Sequence, residues 1–83
     1  MKLTDFEKKR AGRYLRRFIE DHFDLIKEFA AFVGVHPCTV TTWMNGRSPM
    51  PIEIIDRLLV TFPEDLPYKI LRPDLYSQPV KRY

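Results

Sequence analysis

The residues best suited to chemistry in this chain lie in one short segment, 37–45, with the sequence PCTVTTWMN. Val40 and Trp43 are three residues apart, which is the spacing of two side chains on one face of a helix. If both are buried, the small and polar side chains point away from the core: Cys38, Thr39, Thr41, Thr42 and Asn45. A short helix with this outer face fits the major groove of duplex DNA, whose base edges present donors, acceptors and thymine methyl groups.

The residues before this segment predict a second helix and a tight turn. An apolar run, 29–33, ends at Gly34, which can adopt the left-handed backbone that terminates a helix. Ala30, four residues earlier, is small enough to let two helices cross closely. Pro37 suits the first position of the next helix, where its missing N–H has no cost. The spacing is that of a helix-turn-helix.

The amino-terminal third predicts a long amphipathic helix that supports this motif. Thr4 and Glu7 fit a capping box, so the helix is expected to run from residue 5 to about residue 21. Its apolar side would be buried and consists of Ala11, Tyr14, Leu15, Phe18 and Ile19. Its opposite arc is basic and consists of Lys9, Arg10, Arg13, Arg16 and Arg17.

The remaining elements complete a compact all-α bundle of four to five short helices. Asp24 is expected to cap the helix that precedes Gly34. Pro51 is expected to begin a fourth helix that ends at about residue 61. Residues 67–71 are expected to form a short fifth helix. The buried stripe of the fourth helix is predicted as Ile52, Ile55, Leu58, Leu59 and Phe62. We expect one domain over residues 1–76 and a flexible tail over residues 77–83.

Composition and charge narrow the classes of function. Residues 1–19 hold seven Lys and Arg against Asp5 and Glu7, a net charge of +5 in a chain whose total is +3. One surface should therefore attract a polyanion. The single cysteine and the absence of an apolar leader predict a cytoplasmic protein. We find no catalytic set, no metal-ligand spacing and no phosphate-binding loop, so we expect no enzyme activity, no metal, no cofactor, no small-molecule substrate and no membrane association.

Residues 25–52 resemble the helix-turn-helix of the lambda-repressor-like family, which includes the Cro and CI phage regulators. The matching residues are Ala30, Gly34, Val35, Val40, Trp43, Asn45, Gly46, Arg47 and Pro49. The continuation through residues 72–76, RPDLY, is similar to small prophage Cro-like regulators of the YdaS type. The resemblance implies a transcription regulator, a repressor that occupies a palindromic operator on double-stranded DNA as a homodimer.

The resemblance also implies which residues contact DNA. The base-contacting positions would be Pro37, Cys38, Thr39, Thr41 and Thr42, and the phosphate-contacting positions Asn45 and Arg47, to which we add Lys27, Arg13 and Arg17. Pro37 and Cys38 replace the long amides common at the start of such helices, so they cannot make bidentate contacts to adenine. Direct recognition would then depend on threonine methyl and hydroxyl groups and on DNA shape. The dimer surface would involve residues 66–76 or the exposed end of helix four.

Several alternatives stay open at this point. The chain could instead be a protein-interaction module, such as one component of a toxin–antitoxin pair, with or without DNA binding. The basic face of the first helix could be merely solvated, could contact flanking phosphates or could bind an acidic protein. Cys38 could be a redox switch or a small side chain that fills a contact with DNA. Trp43 is expected in the core, and Asn45 could simply end its helix before Gly46.

Overall fold

The computed structural model describes residues 3–76, and within that range it contains six helices and no strand. They are α1 (Asp5–His22), α2 (Ile26–Val33), α3 (Pro37–Met44), α4 (Ile52–Thr61), α5 (Tyr68–Leu71) and α6 (Pro73–Tyr76). α1 packs against α3 and α5, while α2 packs against α3 and α4. The all-α class is confirmed, with one more helix than predicted because Pro73 begins a separate turn instead of only ending α5. The predicted tail, 77–83, lies outside the described residues.

α1 begins where its capping box predicts. The Thr4 hydroxyl accepts the Glu7 backbone N–H at 3.1 Å, and a Glu7 carboxylate oxygen accepts the Thr4 backbone N–H at 2.9 Å. The apolar residues predicted for its inner side are buried, except Tyr14, which is 44% exposed. Tyr14 lies at the border of the apolar stripe, about 100° around the helix from the buried Leu15, so its side chain is only partly covered by the core. The prediction was wrong for this residue.

α2 is capped differently from the prediction. Asp24 does not cap the helix with its side chain; instead, one Glu28 carboxylate oxygen accepts the backbone N–H groups of Asp24 and Leu25, at 3.2 and 3.3 Å. At the other end Gly34 is left-handed, with φ +79°, and the Val35 N–H reaches back to the Ala30 carbonyl at 2.9 Å. Arg57 of α4 donates to the Val33 carbonyl oxygen at 2.7 Å. The end of α2 is therefore held by a left-handed glycine and by a side chain from α4.

The buried stripe of α4 is shifted from the one predicted. Ile55 and Leu58 are fully buried, but Ile52 is 40% exposed and Ile54 is buried in its place. Pro51 precedes the helix and does not belong to it, so Ile52 occupies the first turn at the margin of the core. Leu59 and Phe62 are partly buried against the core.

A partly buried ion pair fixes α5 and α6 to the loop before α4. Arg72 donates two hydrogen bonds to the Asp74 carboxylate, at 2.9 and 2.8 Å, and a third to the Met50 carbonyl oxygen at 2.8 Å. The hydrogen bonds from Arg72 hold the pKa of Asp74 below its usual value, while burial of the carboxyl group acts in the opposite direction. No helix within residues 3–76 has both the length and the apolar character needed to cross a bilayer.

Candidate nucleic-acid interface

The candidate site is built on α3, whose sequence is a poor helix former. Thr39, Val40, Thr41 and Thr42 are four consecutive β-branched residues, each less favourable than alanine in a helix by roughly half a kcal/mol. Packing offsets this cost, because Val40 is fully buried and Trp43 is only 5% exposed. These two anchors determine which side of α3 faces outward.

The amino terminus of α3 has a cap that the sequence analysis missed. Nδ1 of His36 accepts the backbone N–H of Cys38 at 3.0 Å, which satisfies one of the free donors of the first turn. Pro37 follows as the first helical residue, as predicted. Histidine is an unusual cap, so only the position directly before Pro37 could have indicated it.

Two of the predicted base-contacting residues, Cys38 and Thr42, share one outward stripe with the predicted phosphate contact Asn45. Cys38, Thr42 and Asn45 are spaced by four and three residues, and Thr41 borders the same stripe. Cys38, Thr41 and Asn45 are exposed and Thr42 is half-buried. Pro37 (half-buried) and Thr39 (exposed) lie at opposite edges of this stripe, about 100° from Cys38 in each direction.

The threonine hydroxyl groups on this stripe already have partners for their protons. Thr41 donates to the Pro37 carbonyl oxygen at 3.2 Å, and Thr42 donates to the Cys38 carbonyl oxygen at 3.1 Å. Bonds of this kind fix the side-chain rotamer. Each threonine then offers its methyl group and the acceptor lone pairs of its oxygen. These groups match thymine methyls and the amino groups of adenine or cytosine in the major groove.

The carboxyl end of α3 exposes the two residues predicted to bind phosphates. Gly46 is left-handed, with φ +77°, and the Arg47 N–H reaches back to the Thr42 carbonyl at 3.1 Å. Asn45 has ordinary right-handed backbone, so the glycine, not the asparagine, makes the turn. The side chains of Asn45 and Arg47 are both exposed.

α1 crosses directly over this end of α3. A Cβ placed on Gly12 would overlap the Met44 carbonyl oxygen and lie 3.0 Å from that of Trp43. A Cβ placed on Gly46 would lie 2.9 Å from the Cα of Lys9. The two glycines therefore permit a close backbone approach, which sets Lys9 beside Asn45 and Arg47. This contact was not predicted from the sequence, although a glycine inside a helical pattern is the expected signal for a close approach.

The basic residues of α1 differ in their positions relative to α3. Measured around the helix from Gly12, Arg16 is displaced by about 40°, Lys9 by about 60°, Arg13 by about 100° and Arg17 by about 140°. Arg17 borders a surface depression on the other flank, which Tyr14, Asp21, His22, Asp65 and Pro67 also line. We therefore place Arg17, one of the predicted phosphate contacts, outside this interface. Lys9 and Arg16 lie nearer to α3 and were not predicted.

Two other basic residues differ in exposure. Arg10 is half-buried, its guanidinium lies 5.7 Å from the Phe6 ring centroid, and its Nε has no hydrogen-bond partner. It is therefore not fully part of the exposed basic arc predicted for it. Lys27, a predicted phosphate contact, is exposed in the first turn of α2.

No lysine or arginine of α1 is in an ion pair within the described residues. Within residues 3–76 Arg72 and Asp74 form an ion pair at 2.8 Å, and His22 Nε2 lies 4.0 Å from an Asp65 carboxylate oxygen. Neither involves α3, Arg47 or an arginine of α1. Cys38 is a free, exposed cysteine. Over the same described part of the chain, no three metal-ligating side chains come together.

No protein-family model, curated protein or solved structure matches this chain. The helix-turn-helix resemblance therefore stays a prediction.

Proposed function

We propose that this chain is a DNA-binding transcription regulator that places α3 in the major groove. In this proposal Cys38, Thr41 and Thr42 face the bases, and Asn45 and Arg47 bind the phosphate backbone at the carboxyl end of the helix. Pro37 and Thr39 lie at the edges of the base-contacting surface, and Lys27 is a more distant phosphate contact. The function is that of a Cro-like repressor of phage or prophage origin.

The observation that carries the proposal is the division of α3 into two sides. Its apolar residues, Val40, Trp43 and Met44, are buried, and its opposite stripe is exposed except for the half-buried Thr42 and contains no large apolar side chain. Asn45 and Arg47 are exposed at the end of that stripe, and Lys9 of α1 lies beside them. Phosphate contacts of this type orient a protein on the duplex, while the groove-facing side chains supply the sequence preference.

The proposal implies modest sequence preference. Threonine methyl groups and oxygen acceptors discriminate bases less strongly than bidentate amide or guanidinium contacts. DNA shape would contribute the rest. A single α3 contacts few base pairs, so we propose that two copies bind a palindromic operator with half-sites about one helical turn apart. Val60, near the end of α4, is 83% exposed and is a candidate for the surface between the copies.

Selection of bound duplexes from a random pool tests this function most completely. We expect the selected sequences to share a short palindromic site. Against that site, Arg47→Ala should weaken binding to all sequences alike, because it removes a phosphate contact. Thr42→Ala should mainly change the base preference at one position of each half-site.

Arg17→Ala is the matched control for Arg47→Ala, since Arg17 is an exposed arginine on the flank of α1 that faces away from α3. It removes the same charge and should leave affinity nearly unchanged. If the wild-type protein binds no duplex even at low salt, the DNA-binding proposal is wrong and a protein-interaction module becomes the better hypothesis.

A further inference from the structure

One edge of α1 carries three basic side chains that the motif on α3 does not use. Lys9, Arg13 and Arg16 are spaced by four and three residues and are all exposed. We call these three residues the α1 ridge. Arg16 and Lys9 lie about 40° and 60° around the helix from Gly12, where α1 touches α3, and Arg13 lies between them and the outermost point of the helix.

The α1 ridge is continuous with the phosphate-binding end of α3. Its first member, Lys9, has its Cα 2.9 Å from where a Cβ of Gly46 would lie, between Asn45 and Arg47 in the chain. From Lys9 to Arg16 the helix rises about 10 Å, which corresponds to roughly three base pairs of duplex length. Three long basic side chains over that length can each reach one of three successive phosphates.

The ridge is also free to bind an anion. None of its three side chains is in an ion pair within the described residues. Asp5, four residues before Lys9, and Glu20, four residues after Arg16, lie on the same edge at the two ends of the ridge, and neither is in an ion pair within the described residues. Arg17, by contrast, faces a flank that carries Asp21 and Asp65.

We propose that the α1 ridge is a second contact with the phosphate backbone of the same duplex, adding affinity but no sequence preference. This inference rests on the proposed function of α3 and extends it to a surface outside the motif. A duplex backbone fits better than an acidic protein, because the ridge continues the row of phosphate-binding groups at the end of α3. The proposed contact includes Arg16 and excludes Arg17.

The salt dependence of DNA affinity tests the ridge. Each phosphate contact contributes about −0.9 to the slope of log affinity against log salt, so the triple variant K9Q/R13Q/R16Q should reduce the slope by about 2.7. Between 50 and 200 mM salt, the wild type should then lose about 40-fold more affinity than the triple variant. Preferences among selected sequences should not change.

Consecutive arginines provide the matched comparison. R16Q should lower the slope by about 0.9, whereas R17Q, with the same charge change one residue along, should leave it unchanged. Far-UV circular dichroism of each variant checks that the fold is retained, as expected for exposed positions. R47Q, which alters the end of α3, reports on the proposed function separately.

The outcomes distinguish the two proposals. If R47Q lowers the slope and the triple variant does not, the ridge is a solvated surface and only this inference fails. Equal effects of R16Q and R17Q would show that charge alone, without the geometry of α1, determines binding, and would also overturn the inference. If the wild-type protein binds no duplex, both proposals fail together.

Discussion

The contact between α1 and the end of α3 can be tested with two glycines that share a backbone conformation. Gly34 and Gly46 have φ of +79° and +77°. Alanine in this left-handed region costs about 1–2 kcal/mol. The substitution also reduces the conformational entropy of the unfolded chain, which stabilises the folded protein by about 0.4–1 kcal/mol. From backbone conformation alone, Gly34→Ala and Gly46→Ala should therefore each destabilise the protein by about 1 kcal/mol.

The two glycines differ in what surrounds them, so the two substitutions should differ in cost. A Cβ on Gly34 would meet only the end of the Arg57 side chain, at 3.4 Å. A Cβ on Gly46 would lie 2.9 Å from the Cα of Lys9 and 3.1 Å from the Lys8 carbonyl oxygen, so the α1 backbone would have to move. Overpacking of this kind costs about 1–3 kcal/mol. We expect Gly46→Ala to cost about 2–4 kcal/mol in total, which exceeds the cost of Gly34→Ala by about 1–3 kcal/mol.

Urea unfolding followed by far-UV circular dichroism measures this difference. For a domain of this size, each kcal/mol corresponds to about 4–8 °C in the thermal midpoint, so a thermal scan should separate the variants by at least about 4 °C. Equal destabilisation by the two substitutions would refute the reasoning. It would mean that α1 does not rest on Gly46, and the placement of Lys9 beside Asn45 and Arg47 would lose its basis.

Three further predictions follow from local contacts. Asp74→Asn should destabilise the protein by about 2–3 kcal/mol near neutral pH, since it removes a charged partner of Arg72. Because the folded state lowers the pKa of Asp74, the stability that its carboxylate contributes is complete above the ordinary pKa and is lost as pH falls through the lower folded value. In urea titrations, the difference in unfolding free energy between wild type and variant should therefore decrease below about pH 4. Thr4→Ala should cost about 1 kcal/mol and reduce the helicity of α1, measured by circular dichroism, and an unchanged unfolding midpoint would contradict the role of the cap. In competition gel shifts, Thr42→Val should keep a preference for thymine, whereas Thr42→Ser should reduce it about fourfold. The reason is that only the serine lacks the methyl group, whose burial contributes about 0.8 kcal/mol. The reverse order would show that the hydroxyl oxygen recognises the base.

Sequence reasoning predicted best those features that depend on residues a few positions apart. The capping box of Thr4 and Glu7, the left-handed Gly34 and the first-turn position of Pro37 all depend on local chemistry, and the structure confirms them. The buried anchors of α3 were predicted for the same reason, because spacing along one helix determines which side chains share a face.

Features that depend on neighbouring elements were harder to predict. Tyr14 and Ile52 lie at the borders of their apolar stripes, where burial depends on how far the neighbouring helix extends. Asp24 lost the capping role to Glu28, whose longer side chain reaches the same backbone groups. Such competitions are decided by three-dimensional geometry that a helical pattern does not contain.

In the candidate site, too, local features were predicted from the sequence and contacts between elements were not. Periodicity alone predicts a basic arc on α1, but not which arginine faces α3. That assignment depends on Gly12 meeting Met44, a contact between residues more than thirty positions apart. The contact favours Arg16 over Arg17, although the two are adjacent in the sequence.

The most direct test of the account is to map backbone amide chemical shifts of isotopically labelled protein during titration with a selected duplex. We predict that the largest changes occur at Cys38, Thr41, Thr42, Asn45 and Arg47. Changes concentrated on α4 to α6, with α3 unaffected at saturating DNA, would contradict the claim that α3 enters the groove.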